Sequence, residues 1–140
     1  MPPSLFKYLM LFLGLPLSAN ADTIDHYMHI HRSIPTMEMK ADPEAQAWAR
    51  SARNVLTITT ETLAETLLEA NRLAQSKSAP LFCLPPQVTL DAITMKTLIA
   101  ETYSKIPGPP DKKDKMTVSQ IAWLAVTERY PCRDPIKSEP

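Results

Sequence analysis

The chain contains very little glycine: Gly14 and Gly108 are the only two among its 140 residues. Glycine-rich phosphate loops, and the tight, strained turns that often build active sites, depend on this residue. The sequence also lacks a nucleophile elbow, a His-Glu-x-x-His pattern and a Cys-x-x-Cys pair. We therefore expect a protein that is not an enzyme and that uses no cofactor.

Neither sign of charge is in excess, because 15 basic residues balance 15 acidic ones. The composition thus gives no electrostatic reason to expect nucleic acid or an anionic membrane as a partner. Long apolar runs are also missing. The most apolar stretch, residues 8–17, is about half the length of the roughly 20 residues that a membrane-spanning helix needs. We expect no stable membrane anchor.

The start of the chain instead has the pattern of an export signal. Residues 1–7 carry a single cation, residues 8–17 are almost entirely apolar, and Ala19-Asn20-Ala21 matches the small-x-small pattern of a cleavage site. We predict a cleavable signal peptide over residues 1–21 and a periplasmic protein. The remaining residues 22–140 have the length of a single domain.

Cysteine is limited to Cys83 and Cys132, each next to or near a proline. Two cysteines in an exported chain predict one disulfide. The apolar spacing predicts helices over residues 90–105 and 117–130, and a short connection between helices of similar length makes them antiparallel neighbours. Cys83 then lies just before the start of the first helix and Cys132 just past the end of the second, where they can pair.

The rest of the sequence predicts an all-α fold of four to five helices. Asp42-Pro43-Glu44 is typical of a helix start, and the helix continues to about residue 77 unless the β-branched run 56–60 divides it. Thr89 and Thr117 are the expected N-caps of the two later helices. Residues 22–43 predict an irregular arm, with one short amphipathic helix as the alternative, and residues 133–140 a flexible tail.

The segment from residue 82 onward resembles the C-terminal half of the Rap/Tai family. These are small periplasmic immunity proteins against peptidoglycan-amidase effectors of type VI secretion. The matching residues are Phe82-Cys83-Leu84-Pro85, Val88-Thr89, Ile106-Pro107, Ala122, Ala125 and Tyr130-Pro131-Cys132. The resemblance implies an all-helical homodimer without catalysis that occludes the active site of a toxin.

A surface for such a toxin is predicted at the loop 108–115, which is charged and stiffened by prolines. Its candidate toxin-binding residues are Asp111, Lys112, Lys113 and Lys115. A plain solvated connection is the alternative explanation of this loop. Two other functions remain open for the chain as a whole: a periplasmic stress or chaperone-like protein, and a histidine-based metal-binding protein.

The metal hypothesis depends on a local group of histidines, His26, His29 and His31. Neutral imidazoles bind zinc and copper well, but a site needs further rigid ligands, and the disulfide uses both cysteines. Surface histidines without a metal are the commoner explanation, so we expect no metal site. Trp48 and Trp123 are predicted to be core residues or dimer anchors.

Overall fold

A computed structural model describes residues 22–132 of the chain. Five helices follow one another along this part, and it contains no β-strand. They are α1 (Ile24–Glu38), α2 (Pro43–Gln75), α3 (Ala92–Lys105), α4 (Pro110–Lys113) and α5 (Val118–Arg129). The all-α prediction is therefore confirmed. The predicted signal peptide at residues 1–21 and the tail at 133–140 lie outside the described residues.

The first helix corrects the irregular arm predicted for residues 22–43. The Thr23 hydroxyl accepts a hydrogen bond from the backbone of His26 and so caps α1, which then continues through Pro35. A proline inside a helix removes one backbone hydrogen bond. Here that cost falls in the last turn, and the helix offsets it by burying Ile24, Tyr27, Met28 and Ile34. The free energy gained by burying the apolar face of α1 thus exceeds the cost of Pro35 within the helix.

Helix α2 is a single element of 33 residues, so the β-branched run 56–60 does not divide it. The Asp42 carboxylate accepts hydrogen bonds from the backbone of Glu44 and Ala45, as the sequence predicted. In the β-branched run, the buried Thr60 hydroxyl donates to the Leu56 carbonyl at 2.9 Å. This bond satisfies a polar group that would otherwise be costly to bury.

Helices α3 and α5 form the predicted hairpin, and Cys83 and Cys132 are joined by a disulfide with their Cα atoms 4.9 Å apart. The backbone N–H of Cys83 also donates to the Tyr130 carbonyl at 2.8 Å. The predicted N-cap of α3 was wrong. Asp91, not Thr89, caps the helix by accepting from the backbone of Thr94. The Asp91 carboxylate is the better partner for the exposed N–H groups of a first turn.

Helix α3 packs against both α2 and α5, and α1 packs along α2. The two tryptophans lie outside this core: the side chains of Trp48 and Trp123 are each 40% exposed. The first alternative predicted for them, core residues, was therefore wrong, and the second, dimer anchors, stays a prediction. Hydrophobic side chains from all four long helices, and from the segment that carries Cys83, supply the core. The largest of its fully buried hydrophobic side chains are Ile24, Tyr27, Phe82, Met95, Ile99, Ile121 and Val126.

Candidate functional site

The loop between α3 and α5, predicted to be charged and stiffened by prolines, also contains a single helical turn. Gly108 has a φ of +123°, a conformation that favours glycine, and it lies between two prolines. The chain then forms the single turn α4, and the Asp114 N–H donates to the Pro110 carbonyl at 2.8 Å. Prolines at 109 and 110 fix two backbone angles at its start.

The side chain of Tyr103, on α3, contacts two residues of this loop. Its hydroxyl donates a hydrogen bond to a carboxylate oxygen of Asp114 at 2.7 Å, and its ring lies 4.4 Å from the Lys113 ammonium. The hydrogen bond to Asp114 and burial raise the pKa of Tyr103, since both favour the neutral phenol. At physiological pH the Tyr103 phenol is therefore neutral, and its O–H donates the hydrogen bond to the Asp114 carboxylate. The loop is thus tied to the core by a polar contact and a cation–π contact.

The start of α1 holds the loop from a second side. The Asp25 N–H donates to the Asp114 carbonyl at 3.4 Å, and the Ile24 N–H donates to the Met116 carbonyl at 2.8 Å. The Val118 N–H donates in turn to the Asp22 carbonyl at 3.2 Å, which completes an antiparallel bridge of two residues. The segment predicted to be an irregular arm therefore fixes the end of the loop.

The predicted toxin-binding residues divide into two groups. Asp111, Lys112 and Lys115 are exposed, whereas Lys113 is half-buried over the ring of Tyr103. The exposed group forms a small charged surface on a supported turn. Lys113 contacts the ring of Tyr103 and is less exposed than the other three, and its role in toxin binding stays a prediction.

Two contributors to this site were missed from the sequence. Tyr103 and Asp114 were not among the candidate residues. The hydroxyl of a buried tyrosine usually forms a hydrogen bond. Tyr103 precedes a loop with two aspartates, so the sequence could have predicted a hydrogen bond between them. The contact with Asp25 had no signal in the sequence, because it joins residues far apart along the chain.

The three histidines do not gather in one place. His26 pairs with Asp22, with 2.7 Å between Nδ1 and a carboxylate oxygen. His29 lines a shallow depression of about 240 Å³ with Asp25 and Arg32. His31 lies against the ring of Tyr27, and burial, with the nearby charges of Lys96 and Arg32, lowers its pKa. Between residues 22 and 132, no three His, Cys, Asp or Glu side chains are grouped to hold a metal ion.

Several large apolar side chains are exposed on the helices. On α2 they include Trp48, Val55 and Leu73, and the first two line a depression of about 210 Å³ with Ile30 of α1. None of the helices in residues 22–132 has the length and apolar character needed to cross a membrane. Comparison of the chain with family models, with curated proteins and with solved structures found no match.

Proposed function

We propose that this protein is a periplasmic immunity-type binding protein that neutralises a cell-wall amidase by blocking its active-site cleft. The observation that carries the proposal is the supported turn that presents Asp111, Lys112 and Lys115. A binding surface that is ordered before it meets its partner loses less conformational entropy on binding. The resemblance of residues 82–132 to the Rap/Tai family supplies the class of partner.

The charges of the turn support a role in recognition of a protein. Lysines at the edge of an interface speed association with an acidic partner surface and help to fix its orientation. The matched experiment compares two double variants in a toxin pulldown. Lys112→Ala with Lys115→Ala should weaken binding of the amidase about tenfold or more, a loss of about 1.4 kcal/mol.

The control variant carries Lys40→Ala and Lys105→Ala, which remove two exposed lysines outside the turn. It should bind as the unaltered protein does. Equal binding by both variants would remove the turn from the proposal. If the protein captures no stoichiometric partner from the secretions of a competing strain, and does not rescue cells from wall lysis, the immunity function is wrong.

We also propose, as the resemblance implies, that the protein acts as a homodimer. Export to the periplasm is part of the same proposal, and the disulfide supports it because disulfides persist in oxidising compartments. Fusion of residues 1–21 to a reporter enzyme that is active only after export would test the signal peptide.

A chaperone-like stress function is the second candidate, and the exposed apolar side chains of α2 favour it. Such a surface could hold unfolded clients. This function predicts that the purified protein suppresses aggregation of an unrelated reduced protein at substoichiometric amounts. The immunity proposal predicts no such suppression.

A further inference from the structure

Residues of α1, α2 and α3 together line a pocket of about 210 Å³. Each of the three helices contributes one basic side chain to its wall: His31 from α1, Arg53 from α2 and Lys96 from α3. Pockets that hold drug-sized ligands have volumes of about 300–1,000 Å³. This pocket is therefore sized for a small ligand, or for the end of a larger one.

The remainder of the pocket wall is mainly apolar. Ile34 and Leu56 line it and are both buried, and Pro35 lines it as well. Apolar surface of this kind favours contact with an apolar group of a ligand, because the contact removes both from water. An inorganic anion has no such group. The pocket thus favours an organic anion whose charge is attached to a short apolar group.

The charges of the pocket favour a ligand with one negative charge. Arg53 pairs with Glu38 of α1, so its charge is already balanced. Lys96 is half-buried, and its ammonium forms no ion pair with any carboxylate of residues 22–132. A partly buried charge is stabilised by an opposite charge beside it. A carboxylate supplies one negative charge at pH 7, whereas a phosphate monoester supplies nearly two.

His31 supplies a hydrogen-bond donor to the same pocket. Burial, with the nearby charges of Lys96 and Arg32, lowers the pKa of His31, so its ring is neutral at pH 7 and carries one N–H. The other charged side chains at this site are Arg53 of α2 and its partner Glu38 of α1. An anion bound in the pocket would offset the charges of Lys96 and Arg32 and would raise the pKa of His31.

We propose that the pocket lined by His31, Arg53 and Lys96 binds a small carboxylate that carries a short apolar group. The Lys96 ammonium pairs with the carboxylate, and the His31 ring donates a hydrogen bond to it. Ile34 and Leu56 contact the apolar group.

This ligand chemistry occurs in two sources, a free short-chain carboxylic acid and the C-terminus of a peptide that ends in a small apolar residue. The pocket shares no residue with the turn that presents Asp111, Lys112 and Lys115. The inference therefore goes beyond the proposed immunity function and does not depend on it.

Calorimetry with the purified, disulfide-bonded protein tests the site with three probes. N-acetyl-alanine represents a peptide C-terminus, isobutyrate represents a free acid, and the amide of N-acetyl-alanine lacks the charge. At least one of the two acids should bind with a dissociation constant of about 1 mM, and the amide should bind at least about tenfold more weakly than N-acetyl-alanine or not at all. Tighter binding of N-acetyl-alanine identifies a peptide terminus as the ligand, and equal or tighter binding of isobutyrate identifies a free acid.

Nuclear magnetic resonance locates the bound acid. The ring signals of His31 should shift on binding, and their titration should give a higher pKa for His31 than in the protein alone. The ring signals of His26, which lies outside the pocket and pairs with Asp22, serve as the internal control and should not shift.

Two variants test the assigned contacts. Lys96→Gln should weaken binding of the acid about tenfold, whereas Lys105→Gln, at an exposed position of the same helix outside the pocket, should leave it unchanged. Glu38→Gln releases Arg53 from its ion pair and so should tighten binding about threefold. A gain in affinity cannot result from misfolding. Circular dichroism checks that all three variants keep the fold.

The proposal is overturned if neither acid binds at millimolar concentrations, or if the amide binds as well as N-acetyl-alanine. It is also overturned if Lys96→Gln leaves binding unchanged, if Lys105→Gln weakens it equally, or if the His31 signals do not shift. Unchanged affinity in Glu38→Gln removes Arg53 from the site. The assay contains no toxin, so its failure leaves the immunity proposal standing, and failure of toxin capture leaves the pocket standing.

Discussion

The side-chain amide of Asn71 holds the backbone of Phe82. Its Nδ2 donates to the Phe82 carbonyl at 3.0 Å, and its Oδ1 accepts from the N–H groups of Leu81 and Phe82 at 2.8 and 3.2 Å. Asn71 is buried and Phe82 is fully buried. These contacts fix the segment that leads into Cys83 against the end of α2. One polar side chain therefore connects the long helix to the disulfide-bonded hairpin.

Asn71→Ala should lower the free energy of unfolding by about 2–4 kcal/mol, because it leaves the buried N–H and C=O of Phe82 and the partly buried N–H of Leu81 without their partner. The matched control is Asn54→Ala, the same change at an exposed position of α2. It should alter stability by no more than about 0.5 kcal/mol. Urea denaturation measures both. Equal stability of the two variants would show that the Asn71 contacts contribute little.

Loss of the disulfide should destabilise the protein by about 4 kcal/mol, since it closes a loop with a sequence separation of 49 residues. Cys83→Ser with Cys132→Ser should melt at a lower temperature than the oxidised protein. Addition of a reducing agent should lower the melting temperature of the unaltered protein and have no effect on the double variant. Identical melting of oxidised and reduced protein would contradict this prediction.

The hydroxyl of Tyr27 is buried, and no group within residues 22–132 forms a hydrogen bond with it. Burial raises the pKa of Tyr27 from 10.0 to about 12. In the unfolded chain the phenol ionises near pH 10, whereas in the folded chain it stays neutral until about pH 12. Its contribution to stability is thus complete below pH 10 and is lost as the pH rises towards 12, by about 3 kcal/mol in all.

Tyr27→Phe separates this effect from other titrations. At pH 7 the variant should be as stable as the unaltered protein, or more stable by about 1 kcal/mol, because no polar atom is buried without a partner. Between pH 10 and 12 it should lose less stability than the unaltered protein does. Parallel curves of unfolding free energy against pH for the two proteins would show that Tyr27 does not titrate in this way.

Tyr103→Phe should loosen the loop 108–115 without unfolding the protein. It removes the hydrogen bond to Asp114, worth about 1–2 kcal/mol. Amide hydrogen exchange at residues 112–116 should become faster, and binding of a toxin through the exposed lysines should weaken. Tyr130→Phe is the control, since it removes the same hydroxyl group from a half-buried tyrosine outside the loop 108–115. Unchanged exchange in Tyr103→Phe would show that the loop is held by its backbone contacts alone.

Local signals predicted the limits of several elements well. Asp42 with Pro43 marked the start of α2, Thr117 marked the start of α5, and the prolines after Ile106 marked the end of α3. These signals depend on backbone groups within one turn of the residue, so the sequence displays them directly. The prediction for α1 was wrong because contacts with distant helices stabilise it. The prediction for Thr89 was wrong because the neighbouring Asp91 is the stronger cap.

The candidate site was only partly predictable. Charge and proline content predicted a binding surface that includes Asp111, Lys112 and Lys115, and these residues are exposed as expected. Nothing in the local sequence showed that Lys113 would pack over Tyr103, or that the start of α1 would hold Asp114. Those contacts join elements that are distant along the chain, and their pairing depends on how the helices dock.

By itself the sequence determined the helical class, most helix ends and the pairing of Cys83 with Cys132, because periodicity, caps and two cysteines at the ends of a hairpin are local or unique features. The tertiary structure decided which face of α2 is covered, which polar groups Asn71 satisfies, and that α1 continues through Pro35. Each of these outcomes balances a local preference against burial of apolar surface between helices. Only the docked arrangement of the helices sets that balance.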